Sequence, residues 1–222
     1  LALSSSNSNQ ITKISPKQQQ GVRKTLVWIF GFIALFMGLF IANLLTPKGL
    51  SDEQLSAAGY FGFQQPRPIS DFSLTNHKSE SVSRADIEGQ WSLIFFGFTF
   101  CPDVCPTTLG VLNRAVGNMK QKPQVIMVSV DPERDTPKQL NNYIPSFNKD
   151  FVGYTGDFNP IVKLATELNS AFGKVPGREP GTYTVDHTAS IIVINPDGRY
   201  AGFIKAPHQA LSITKVLDSL ML

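Results

Sequence analysis

Cys101 and Cys105 are the only cysteines in this 222-residue chain, and they stand four positions apart. They lie in Phe98-Thr-Phe-Cys101-Pro-Asp-Val-Cys105-Pro106, where an apolar run gives way to prolines that suit the start of a helix. A spacing of i, i+4 puts two side chains on one side of a helical turn. The positive end of a helix favours thiolate over thiol. Two thiolates so placed can form a disulfide or share a soft metal ion. Two inert core cysteines and a static structural disulfide are the plainer readings. A disulfide here would close a loop of only a few residues, which restrains an unfolded chain little. Two cysteines are also too few for a disulfide framework.

Three histidines are available as further ligands. His77, in the polar turn Thr75-Asn-His77-Lys-Ser-Glu80, and His208, in Ala206-Pro-His208-Gln, read as surface residues. His187 lies in Tyr183-Thr-Val-Asp-His187-Thr-Ala189, just ahead of an apolar run. Two thiolates and one imidazole form a soft set. Thiolates select Cu(I), zinc or iron–sulfur clusters, and imidazole suits copper and zinc. A structural zinc takes a fourth protein ligand, and no third cysteine supplies one. A three-ligand set that stays open suits a metal that is handed on.

The elements that must position these residues alternate between strand and helix. Strands are expected at 71–75 and 81–88, the second with a helical turn. The continuous apolar runs 91–98, 124–130 and 189–194 read as strands buried on both faces. Helices are expected from Pro106 to about Lys120, from Thr136 to about Phe147, from Asn159 to Phe172, and from Pro207 to the end. Residues 151–154 read as a short strand, and Asn195-Pro-Asp-Gly198 as a turn into a hairpin strand at 199–204. Strands separated by helices imply right-handed crossovers and a largely parallel sheet, to which the hairpin adds antiparallel strands. The expected fold is α/β: a thioredoxin-like mixed sheet flanked by helices. In that fold the loop before the third buried strand faces the cysteine helix, which brings His187 towards Cys101 and Cys105. The strand ends beside Cys101 lie at the sheet edge where such folds bind ligands. Asp131 and Asp135 follow a buried strand at that same edge, where they can orient the site or serve as helix and turn caps.

The net charge of +3 is unevenly spread. Lys13, Lys17, Arg23 and Lys24 fall in residues 1–25, which hold no acid, so the other 16 cations face all 17 acids. The basic character belongs to the leader, and no basic patch with interleaved aromatics supports nucleic-acid binding. Residues 26–45 carry no charge and, at about 1.5 Å per residue, span about 30 Å, the thickness of a bilayer's hydrocarbon core. No small-x-small cleavage site follows, so an uncleaved signal anchor is expected. Cations before the span put the N-terminus in the cytoplasm and the rest outside it, in a periplasm. The expected organisation is a disordered leader at 1–25, the span at 26–45, a tether at 46–69 and a domain at 70–222. Gly173 to Gly181 reads as a mobile loop.

Three motifs in this order resemble the Sco/SenC family of copper-binding, thioredoxin-like proteins: Gly97-Phe-Thr-Phe-Cys101-Pro-Asp-Val-Cys105-Pro106, Val130-Asp-Pro-Glu-Arg-Asp-Thr-Pro137, and Val185-Asp-His187 before a strand ending in Asn195-Pro-Asp-Gly198. The resemblance covers about residues 68–222 and the preceding anchor. It implies Cys101, Cys105 and His187 as ligands of Cu(I) or Cu(II), with Asp131, Asp135 and Asp186 around them. It implies delivery of copper to the binuclear centre in the copper-containing subunit of cytochrome c oxidase, and reduction of that centre's cysteines. Another copper donor or a thiol reductant would be a further partner. The alternative is a thiol–disulfide reductase with Cys101 and Cys105 as its redox pair. Against it stand the CxxxC spacing and Asp186-His187, where reductases of this fold carry a cis-proline. A peroxidase is disfavoured, since Thr99 lies two residues before Cys101 and peroxiredoxins place a threonine three before their cysteine.

Overall fold

A computed structural model describes residues 16–45, 49–117 and 119–222, so the expectations for residues 1–15 and 46–48 lie outside the described residues. The chain divides into two units, residues 1–48 and 49–222. In the first, α1 (Pro16–Leu45) is one helix of 30 residues. The leader is therefore helical from Pro16 onward. Within α1, Arg23–Leu44 is long and apolar enough to cross a bilayer. Its side chains from Leu26 to Leu44 are all exposed, as befits a helix that is apolar all round.

The second unit begins with α2 (Asp52–Ala57) and β1 (Tyr60–Arg67), followed by β2 (Leu74–Asn76), β3 (Ser81–Val82) and a 3-10 turn. Then come β4 (Ser92–Gly97), α3 (Val104–Gly117), β5 (Gln124–Ser129), α4 (Pro137–Tyr143), β6 (Val152–Thr155) and α5 (Phe158–Glu167). The chain closes with β7 (Phe172–Pro176), β8 (Tyr183–His187), β9 (Ile191–Ile194), β10 (Tyr200–Ile204) and α6 (Ala210–Leu220). Eight strands form one sheet in the order β1-β10-β9-β4-β5-β6-β2-β3, and β7 and β8 form a separate two-stranded sheet. This is the expected mixed sheet with flanking helices, although only β4, β5 and β6 run parallel. Every residue of β4 and β9 is buried, which explains their unbroken apolar sequence.

Several boundaries differ from the sequence expectation: the last helix starts at Ala210 and not at Pro207, the strand expected at 71–75 is Leu74–Asn76, and four further departures have a local reason. Residues 46–69 are not simply a tether, because they hold α2 and an edge strand paired with β10. The glycines that resembled a linker have local jobs. Gly59 takes φ +88° at the turn into β1, and a Cβ on Gly62 would meet the Tyr60 ring at 3.0 Å. α3 begins at Val104, two residues ahead of Pro106, which still occupies the first turn where a missing N–H is harmless. The helix expected to reach Phe147 breaks into α4 and a 3-10 turn that contains Pro145. The helix expected to reach Phe172 stops at Glu167, where Asn169 takes the left-handed φ of 55°. The residues beyond it become β7, so the expected mobile loop shrinks to the connection between β7 and β8.

Candidate metal centre

The buried strand β4 ends at Gly97, and the chain turns through Phe98–Val104 into α3. That turn holds Cys101 half-buried, while Cys105, inside the first turn of α3, is fully buried. The backbone N–H of Cys105 points to Cys101 Sγ at 3.5 Å. Across the cleft, β8 ends on His187, whose Nε2 lies 3.4 Å from Cys105 Sγ. His187 Nδ1 lies 3.3 Å from the carbonyl of Thr188, which can only accept. The proton therefore sits on Nδ1, and Nε2 offers its lone pair towards the thiols. One ligand atom from each of Cys101, Cys105 and His187 lies within 4.8 Å of the others, the one such cluster among the described residues. The ring of Phe98 meets that of His187 edge-on at 6.1 Å.

Protonation follows from burial. Desolvation holds His187 below its ordinary pKa, so the imidazole is neutral and able to ligate. Desolvation also pushes the Cys105 thiol well above its ordinary value. The expected thiolate-favouring effect of the helix end is overridden there, because full burial costs a charge more than the helix end returns. A metal that takes Cys105 must displace its proton.

The segment Asp131–Asp135 after β5 touches both elements that carry the cysteine–histidine cluster. Asp135 is fully buried and accepts from Thr99 N at 2.9 Å, Thr99 Oγ1 at 2.6 Å and Ser129 Oγ at 2.7 Å. It thereby fixes the turn two residues before Cys101. Burial raises its pKa, and these hydrogen bonds oppose the rise. Asp131, also fully buried, accepts from the Tyr183 hydroxyl at 2.8 Å and from Arg134 Nε. Arg134 Nη1 donates to the Tyr183 carbonyl at 3.3 Å, and its guanidinium lies over the rings of Tyr183 and Phe100. Lys174 of β7 pairs with Glu133 at 2.7 Å. Asp186 is exposed, lines the mouth of the cleft beside His187, and raises the imidazole pKa through its charge.

With this geometry in view, the comparison with known proteins is direct. The sequence profile of the SCO1/SenC family matches residues 63–222. The chain belongs to the SCO1/SenC family. Human "Protein SCO1 homolog, mitochondrial" is 33% identical over 171 residues, which cover 75% of this chain and 57% of the human protein. The chain thus matches little more than half of that relative's length. The structure of Bradyrhizobium japonicum ScoI with copper bound is 38% identical, with a TM-score of 0.61 over 68% of this chain and 98% of that one. Arabidopsis thaliana ScoI with copper bound is 30% identical, with a TM-score of 0.65 over 69% of this chain and 98% of that one.

Within this SCO1/SenC chain, the structure brings together Cys101, Cys105 and His187 and sets Asp131 and Asp135 behind them. His77 and His208, read as surface residues, are not. His77 is 7% exposed; its ring Nδ1 accepts from Gly153 N at 3.2 Å, and its backbone N–H donates to the Gly153 carbonyl at 2.8 Å. His208 is half-buried, and its Nε2 lies 2.7 Å from the Ala189 carbonyl. Sequence reasoning missed Thr99, Arg134 and Tyr183. A tyrosine four residues before His187 and an arginine three after Asp131 are weak signals until β8 is known to lie over the β5–α4 connection.

Proposed function

We propose that this chain is a membrane-anchored copper chaperone. It holds Cu(I) or Cu(II) on Cys101, Cys105 and His187. It passes the ion by ligand exchange to the copper-containing subunit of cytochrome c oxidase, at that subunit's binuclear centre. The observation that carries this reading is the convergence of two thiols and a neutral imidazole within 4.8 Å. Membership of a family with copper-bound structures supports it. The donor set is soft, and three protein ligands leave room for an incoming ligand from a partner. Asp135 and Asp131 hold the two ligand-bearing segments, and Asp186 biases His187. α1 is the single-pass anchor, with the basic leader cytoplasmic and residues 49–222 periplasmic.

The test uses the full chain, reduced and in detergent, titrated with Cu(I) against a competing chelator. One copper per chain is expected, with affinity about 10- to 100-fold weaker in His187→Ala. Unchanged affinity in that variant sinks the three-ligand site. A phosphatase fused after residue 60 should be active outside the cytoplasm, and an inactive fusion overturns the orientation.

A second reading rests on the unequal exposure of the two cysteines. Half-exposed Cys101 is placed to attack a partner disulfide, expelling one partner thiolate, while buried Cys105 resolves the mixed disulfide. This leaves a Cys101–Cys105 disulfide and a reduced partner, and an external thiol reductant resets the pair. If Cys101→Ala blocks oxidase assembly and His187→Ala does not, this reading replaces the first.

A further inference from the structure

Residues 188–190 link His187, at the end of β8, to Ile191, at the start of β9. β9 is a fully buried strand of the main sheet, whereas β8 belongs to the separate two-stranded sheet. The link therefore carries His187 at the boundary between the main sheet and the smaller one. Thr188 binds it to Ala171, through Thr188 N to the Ala171 carbonyl at 2.9 Å and Ala171 N to Thr188 Oγ1 at 3.0 Å. Ala171 lies between α5 and β7, so these bonds tie the link to the start of β7 and, through Ser170 N to the Ala165 carbonyl at 2.8 Å, to the end of α5. The next carbonyl, that of Ala189, accepts from His208 Nε2 at 2.7 Å. His208 lies between β10 and α6, on the framework of the main domain.

We propose that His208 is a positioning residue for the metal centre: its Nε2–H pins the Ala189 carbonyl to the β10–α6 connection and so holds His187 facing the two cysteines. A carbonyl can only accept, so the proton must sit on Nε2. Nδ1 is then a bare lone pair, and it is buried without a hydrogen-bond partner. A buried polar atom left unpaired costs stability, and an apolar side chain would avoid that cost. The bond to Ala189 is what the imidazole contributes in return. A ligand held by such supports is sensitive to their loss, because small displacements matter at a three-ligand site.

The inference rests on His187 being a ligand, and the experiment separates the two ideas. In the copper-free full chain in detergent, amide hydrogen exchange is followed at residues 188–190 in the native protein, His208→Ala and His208→Gln. Exchange should quicken by about five- to tenfold in His208→Ala, the size expected for one lost hydrogen bond. Gln carries an amide N–H near the place of Nε2 and should restore most of the protection. Copper affinity should fall by about tenfold in His208→Ala, and the Cu(II) electron paramagnetic resonance spectrum should broaden into more than one nitrogen environment. In a His187→Ala background, adding His208→Ala should change affinity no further. Native exchange rates in His208→Ala overturn the pin, as does a failure of Gln to rescue them. Faster exchange with unchanged copper affinity and spectrum overturns its role at the metal centre. If His187→Ala itself leaves binding unchanged, the ligand reading fails while the exchange result still reports on the pin.

Discussion

The two sides of the metal centre are built differently. Cys105 is embedded in the main core, at the N-terminus of α3 and against the end of β4, and is fully buried. His187 ends a two-stranded hairpin in which β7 is largely exposed and only Val185 of β8 is fully buried. One side of the cluster is set by core packing, and the other by a few polar ties. A site built this way can open on its hairpin flank without disturbing the core.

The largest expected effect tests which side dominates binding. Cys101→Ser should weaken Cu(I) binding by more than about 100-fold, beyond the loss in His187→Ala, because Cu(I) prefers thiolate to imidazole. Competitive chelator titration measures both, and equal losses would break the asymmetry.

A second pair of variants compares packing. A Cβ on Gly97 would meet the Phe95 ring at 2.7 Å and Cys105 Sγ at 2.9 Å, whereas one on Gly173 of β7 would meet nothing within 4 Å. Gly97→Ala should destabilise the protein by about 1–3 kcal/mol. Gly173→Ala should change stability by about 0.5 kcal/mol or less. Denaturant unfolding checks both, and similar costs would mean that the hairpin is packed as tightly as the core.

The smallest effect is in pH. Burial lowers the pKa of His208, so the unfolded chain takes up a proton as pH falls through about 6.5 before the folded chain does. This histidine therefore removes stability as pH drops below about 6.5. His208→Gln should lose less stability than the native protein between pH 7 and 5.5 in thermal unfolding. An identical loss would place His208 in solvent.

The core side of this comparison was legible in the sequence. The runs ending at Phe98 and Val130 announce strands because burial on both faces demands an unbroken apolar sequence. The cysteine spacing announces a shared site because it is local. The hairpin side was less legible. β7 is largely exposed and its sequence carries no core pattern, β8 shows only one five-residue alternation around buried Val185, and Gly173 to Gly181 looks like a loop. β1 was hidden by glycines whose purposes, a positive φ at Gly59 and room for the Tyr60 ring at Gly62, exist only in the folded chain. Tyr183, Arg134 and His208 act through partners 52, 49 and 19 positions away. No window of sequence contains those pairs.

The connection from Asp131 to Asp135 touches the turn before Cys101 with one carboxylate and, with the other, Tyr183 at the turn end of the hairpin that carries His187. A protein engineer who copied Phe98–Pro106 and Tyr183–His187 into another scaffold would carry over all three clustered side chains and neither of the carboxylates that aim them. The smallest transplantable unit of this cluster is three segments long, and the middle one contributes none of its three side chains.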